Sequence, residues 1–476
     1  MADSLRATTE AVAFIRETTF RDFPAEAVAI GKRCAIDGLG VTLAGTTTDG
    51  STILRDYIRG SGTGAADATV FGAAPFRTTA ASAALLNAAA GHAMDWDDTQ
   101  LSTTPDRIFG LLTHPTLPPL IAALAVGERL RVSGQQLLEA FLVGFELECK
   151  IAEAISPAHY KKGFHSSGTI GTFGAMAAAA KLLNLDEDQL SHALAIAASL
   201  SSGIRVNFGS MTKPLHVGRA AQNGITAAEL ASRGFTGGRD ALDPPWGFFQ
   251  VFSHGEGAEL DRFVGTLGKP FTIVSPGVSI KPYPCGVLGH PTMDAMRTLV
   301  TTHDVKPEQI RAIRVRAGSN ILNPLRYTIA TNELEAKFCP PFMVSAIALR
   351  RKAGIHEFTD AFVRSAPAQE MMRRCETVLD PEIEAKGWEK IRSTVEVDLA
   401  DGRRLVQEAD ERYRGGPDHP FTREDLLEKF TDCAGLVLPP AAMDETVTMV
   451  ESLETLPDVT ALVKTLSSAK PVAATA

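Results

Sequence analysis

The sequence predicts a mainly α protein: a large all-helical domain accompanied by a smaller α+β domain. Three observations predict it. Ala-rich, helix-favouring segments recur through roughly the first half of the chain. The character then changes near FVGTLGKPFTIVSPGVSIKPYP, and strand-like alternation follows. Two further helical stretches close the chain.

The helical segments come first. They are AASAALLNAAAGHAM, LPPLIAALAVGERL, GQQLLEAFLVGFELECKIAEAI, GTFGAMAAAAKLLNL, LSHALAIAASLSSGI and AAQNGITAAELASRG. Ala is the best helix former, and small side chains let helices approach closely. Gly and Pro punctuate the runs. In the second part, IRAIRVRAG alternates apolar and polar residues as a half-buried strand does. STVEVDLADGRRLVQEA reads as a hairpin turning at Asp401-Gly402. FTREDLLEKFTDCAG and AAMDETVTMVESLETL are helical and return to the first domain, and SSAKPVAATA reads as a disordered tail. We place the helical domain at residues 1–268 and 416–476 and the α+β domain at 269–415. A cleft between two such domains is a common ligand site.

Composition narrows the function. A chain of 476 residues with 45% hydrophobic and 22% charged residues can build an ordinary core. A net charge of −9 argues against nucleic acid as partner, because phosphate neutralisation needs a basic face. The six cysteines are widely spaced and form no CxxC pair, so neither a zinc ribbon nor a disulfide framework is expected. The N-terminal MADSLRATTEAVAFIRETTF lacks a signal-peptide pattern, and apolar stretches such as LIAALAVG are too short to span a bilayer. The expectation is a soluble, cytoplasmic protein with no membrane partner.

Several short stretches carry groups capable of chemistry. Gly91-His-Ala-Met-Asp-Trp-Asp-Asp-Thr99 closes an Ala-rich helix with one His and three carboxylates. Acids at a helix C-terminus oppose its dipole, so local position does not explain them. His114 precedes Pro115, Lys213 precedes Pro214, and Lys281 precedes Pro282. Pro favours the first helical position, which would put His114 and Lys213 at helix N-termini and Lys281 on a Pro-constrained turn. Cations at such places suit an anionic ligand. His165 stands in GFHSSGTIG, where Ser166 or Ser167 can cap the next helix. His216 shares a helix face with Lys213 and reads more simply as a satisfied core histidine. A metal site at His92, Asp95, Asp97 and Asp98 is not expected, since no further ligand motif accompanies it. GxGxxG after a strand, the P-loop and the GxSxG elbow are absent, so no cofactor is expected.

In order along the chain, HAMDWDDT, HPTLPPLIAALAVGE, GFHSSGTIGTFGA, GSMTKPLHVGRAAQNG, KPYPCGVLGHP and EAKFCPPF resemble the MmgE/PrpD family, and the resemblance spans nearly the whole sequence. It implies an all-helical domain built from both chain ends, an inserted α+β lid, a homodimer and no metal. Carried over by motif, it implies catalytic roles for Asp95, His114, His165, Lys213 and Lys281, and substrate contacts from Thr99, His216 and the two lysines. Phe342 stands where many members carry Tyr, and the segment Gln100–Thr113 is longer than usual.

The family's reactions handle charge next to a carboxylate, where preorganised cations stabilise developing negative charge and imidazoles transfer protons. The first expectation is therefore a cofactor-independent hydro-lyase that abstracts a proton α to a carboxylate of a 2-methylcitrate-like di- or tricarboxylate. The alternatives are an epimerase of an amino-dicarboxylate such as iminodisuccinate, a cis-aconitate-type decarboxylase, and a non-catalytic helical binding protein.

Overall fold

In the computed structural model the described residues are 6–468, apart from 63, 73, 105, 106, 156, 157 and 256, and for 6 and 103–111 the backbone alone is described. The expected disordered tail falls, from residue 469 on, outside the described residues. The architecture is mainly α with a smaller α+β part.

The first core is a stack of Ala-rich helices. The helices Ala80–Ala93, Leu117–Leu130, Gly134–Ile155, Gly171–Leu182 and Thr212–Ser232 pack on one another around it. Small residues set their spacing. A Cβ on Gly218 would lie 2.4 Å from the Leu85 carbonyl, so only glycine lets the Thr212–Ser232 helix lie this close to Ala80–Ala93. That contact brings the start of one helix to the end of the other, and Lys213 to Asp95. Thr79 caps the Ala80–Ala93 helix by accepting from the Ser82 amide.

Two short hairpins interrupt the helices where none was expected. Ala68–Val70 pairs with Phe76–Thr78, and Gln100–Thr104 pairs with Arg107–Thr113. The second has an irregular register and covers the long segment ahead of His114. Such short strands lack the sustained alternation that makes a strand legible.

A second core is built mostly from residues between Tyr283 and Tyr413, joined by Leu101, Tyr160 and Phe208. Its sheet has the order Cys375–Leu379, Ile310–Ala317, Ser393–Leu399, Arg404–Glu408. The first two strands are parallel and the others antiparallel. Both elements read from alternation are present: the Ile310–Ala317 strand, and the hairpin of Ser393–Leu399 with Arg404–Glu408 around Asp401-Gly402. The helices His290–Thr302 and Pro340–Arg350 pack in the same core. Phe271, Ile273, Val278 and Ile280 pack with the first core, which Phe421, Leu426, Phe430 and Leu462 from the chain's end also join.

Two threads tie the cores together. Thr99 and Ser279 exchange backbone hydrogen bonds of 2.9 and 2.8 Å. The Ile280 amide donates to the Gly415 carbonyl at 2.9 Å. Gly415 has φ 84°, and a Cβ there would meet the Ile280 oxygen at 2.0 Å, so the crossing next to Lys281 requires glycine.

Candidate active site

The site grows from the end of the Ala80–Ala93 helix. Met94 keeps helical angles, and Asp95 then adopts φ 51°, a left-handed conformation that short polar side chains tolerate. The turn folds the three acids back among cations and donors. Lys429, from the Arg423–Ala434 helix, pairs with Asp37 and donates to the Trp96 carbonyl at 2.7 Å, which anchors the loop from below.

Each acid has its own partners. Asp95 Oδ1 accepts from Lys213 Nζ and Lys281 Nζ, both at 2.9 Å, and Lys281 also donates to the Asp95 carbonyl. Burial works to raise the Asp95 carboxyl, but the two ammoniums outweigh it and hold it well below the usual range. Asp97 receives His92 Nδ1 at 2.8 and 2.9 Å. Asp98 accepts from Thr116 Oγ1 at 2.5 Å, and burial pushes its carboxyl up to about 8. The acids that oppose the helix dipole are thus ion-paired, hydrogen-bonded or neutralised.

The histidines are held as free bases. His114 donates Nδ1–H to the Asp98 carbonyl at 2.8 Å, which leaves Nε2 as the lone-pair nitrogen. His165 Nδ1 lies 3.0 Å from His216 Nδ1, so one of the two donates to the other. His165 Nε2 has no hydrogen-bond partner among the described residues. Burial lowers the imidazole of His114 well below the ordinary value against the pull of Asp97, with Lys281 and Lys213 adding to it; burial and Lys213 do the same at His165, and burial lowers His216 to about 4. Burial also lowers Lys213.

Asp95, His114, Lys213 and Lys281 line one small cavity together. The second core supplies its opposite wall with Gly286, Val287, Leu288, Leu325 and Phe338. The cavity measures about 20 Å³, room for about one water. That space is too small for a ligand the size of a tricarboxylate. Larger clefts exist, including one of about 580 Å³ behind Met94 and Pro214, but none of the expected site residues lines it.

The remaining expected residues stand around this cavity rather than on it. His165 packs edge-on against Phe208, which does line it, with ring centroids 5.1 Å apart. His216 lies behind His165. Thr99 is fully buried, and its hydroxyl has no partner among the described residues.

Three local expectations are corrected. The helix after His114 starts at Leu117, so His114 sits at a strand end, and its amide donates to Ser167 Oγ at 3.0 Å. Neither Ser166 nor Ser167 caps the short helix Ser166–Thr169, because both lie inside it and His165 holds the cap position; Ser167 Oγ instead accepts from the His114 amide. Lys213 lies inside its helix, which begins at Thr212; Pro214 is tolerated in a first turn whose amides have no helical partners. Phe342 does not line the cavity: it packs against Phe358 and Phe362 in the second core, so the hydroxyl it lacks is not missing from the cavity wall.

Sequence reasoning missed His92 as a partner of Lys213, and it missed Tyr160, Phe208 and Phe338 as lining residues. His92 had a signal in its spacing from Asp95 and Asp97; the aromatics had none. His92, His114 and His165, and likewise His92, Asp95 and Asp97, bring potential ligand atoms within 4.8 Å of one another. A divalent cation there would face the Lys213 ammonium, already 2.6 Å from His92 Nε2, so we assign neither group as a metal site.

The fold and the site define a two-core protein with buried ammonium groups and free-base histidines at the junction of the cores. The MmgE/PrpD N-terminal domain model matches residues 9–261, and the MmgE/PrpD C-terminal domain model matches residues 283–455. The chain belongs to the MmgE/PrpD family. It is 28% identical to human cis-aconitate decarboxylase over 450 residues, covering 92% of this chain and 90% of that protein. It is 29% identical to the mouse cis-aconitate decarboxylase, covering 91% and 88%. For the Aspergillus terreus cis-aconitate decarboxylase the identity is 24%, covering 74% and 75%. Among the described residues, no helix is long and apolar enough to cross a membrane.

Proposed function

We propose that this protein is a lyase acting on small polycarboxylates through a carbanion next to a carboxylate, with decarboxylation of a cis-aconitate-like tricarboxylate as its reaction. One observation carries the reading: two buried ammoniums, Lys213 and Lys281, converge on one carboxylate oxygen beside a free-base imidazole, His114. A substrate carboxylate can take over the place that Asp95 Oδ1 holds. Loss of CO2 leaves an electron pair on carbon, delocalised toward a remaining carboxylate, where preorganised ammoniums stabilise it. Protonation of that carbon completes the reaction. The positive charge comes from lysines, so the scheme needs no metal. Full-length similarity to proteins named cis-aconitate decarboxylase favours this step over the others.

The second reading is the hydro-lyase acting on a 2-methylcitrate-like substrate. The presence of two free-base imidazoles, His114 and His165, with ring centroids 6.4 Å apart, favours it. As a free base one imidazole can take the α-proton, and the imidazolium so formed or the Lys213 ammonium can protonate the leaving hydroxyl, which departs as water.

The test is a screen of cis-aconitate, citrate, 2-methylcitrate and iminodisuccinate in deuterated water, read by NMR. Loss of a carboxyl with deuterium at the adjacent carbon is the expected result. A new alkene from a hydroxy acid selects the hydro-lyase, and stereochemical loss alone selects the epimerase. No change in any substrate overturns the enzyme reading in favour of a binding protein. The homodimer is likewise a proposal, tested by the solution mass of the full chain.

A further inference from the structure

We infer that His92, held by Asp97, is a positioning residue for Lys213, fixing the ammonium by a lone pair on Nε2 so that it stays at the cavity wall. The inference rests on the reading of Lys213 as a cation for substrate carboxylate.

The geometry is that of a three-member chain. His92 is the second-last residue of the Ala80–Ala93 helix and is fully buried. The left-handed turn at Asp95 brings the chain back, so that both Asp97 oxygens lie within 2.9 Å of His92 Nδ1. A carboxylate accepts only, so Nδ1 carries the hydrogen. In a neutral ring Nε2 then holds a lone pair, and that atom lies 2.6 Å from Lys213 Nζ. Lys213 has three hydrogens. One goes to His92, one to Asp95 Oδ1 at 2.9 Å, and the third is left for a ligand in the cavity that Lys213 lines. The opposite tautomer would set an N–H against the ammonium and push it off the wall. Burial lowers the His92 imidazole against the pull of Asp97, consistent with a ring that stays neutral beside the lysine.

Lys281 has no such histidine among the described residues. It is fixed by the Asp95 carbonyl and carboxylate instead, so the two lysines are positioned by different means.

Two variants of His92 separate positioning from packing. His92→Phe keeps a ring but has no acceptor. His92→Gln loses the ring, yet its side-chain oxygen can reach the place of Nε2. For the polycarboxylate that the wild type turns over, kcat/KM should fall about 100-fold in His92→Phe and recover to within about tenfold of wild type in His92→Gln. The reverse order, Phe active and Gln inactive, means that the ring only fills space, and it overturns the inference. Asp97→Asn, close to isosteric, releases the tautomer and should lower kcat/KM about 10–100-fold; unchanged kinetics in that variant also overturn the inference.

A second measurement is independent of turnover. Nitrogen-15 NMR of labelled histidines should show His92, assigned from its loss in His92→Gln, as the Nδ1–H tautomer between about pH 6 and 8. A ring protonated at Nε2 overturns the positioning role whether or not the enzyme is active. A wild type that transforms no polycarboxylate overturns the lyase reading, while the tautomer still decides the role of His92.

Discussion

Lys213 and Lys281 place their ammonium nitrogens at the same distance, 2.9 Å, from the same atom, Oδ1 of Asp95. The other oxygen of that carboxylate is buried with no hydrogen-bond partner among the described residues. The arrangement sets two ammoniums against one carboxylate, an excess of positive charge poised for exchange with an incoming anion.

Asp95→Asn tests this balance. It leaves two buried ammoniums facing each other without their counter-ion, a change that costs about 3–5 kcal/mol when a buried pair is broken. Thermal unfolding should show that loss. Citrate or another tricarboxylate should restore the variant by more than it stabilises the wild type, because it supplies the missing charge. A variant as stable as the wild type, with no added response to the anion, would sink the idea.

The pH profile of kcat/KM follows from the histidines. Burial holds His114 and His165 well below the ordinary imidazole value, so both are free bases throughout the neutral range. Activity that needs a free base is lost only when pH falls through those lowered values. The rate constant should be flat from about pH 8 down to about pH 6, with no acid limb near 6.5, the ordinary imidazole pKa. A half-loss centred near 6.5 contradicts the assignment.

Asp98 makes stability depend on pH in a definite direction. Its folded-state pKa is raised to about 8 from an ordinary 3.8, so the folded protein holds a proton that the unfolded chain gives up between those values. This contribution is complete below about pH 4 and is lost as pH rises through about 8. Asp98→Asn, neutral at every pH, should narrow the difference in unfolding free energy between pH 5 and pH 8 by about 3–4 kcal/mol. An unchanged difference rules out Asp98 as its source.

Some parts of this protein could be read from short stretches of sequence. The Ala-rich helices are visible because helix propensity is local. The hairpin at Asp401-Gly402 is visible because strand alternation and a two-residue turn signal lie side by side. The hairpin of Gln100–Thr113 was not visible, since its strands are short and irregularly paired. The helix starts near His114 and Lys213 were misplaced by one or two residues, because Pro occupies several places in and before a first turn. Phe342 drew attention as a departure from a motif, whereas it is Phe338 that reaches the cavity.

The sequence by itself determined the helical and α+β composition, the family resemblance and the set of basic and acidic residues gathered in short motifs. The tertiary structure decided their pairing. Asp95 meets Lys213 and Lys281, His92 meets Asp97 and Lys213, and His165 meets His216. Most of these partners lie far apart along the chain, brought together by close helix contacts such as Gly218 against Leu85 and by the crossing at Gly415. Burial at that junction then sets which groups carry charge, and neither burial nor a distant partner is a property of a local stretch of sequence.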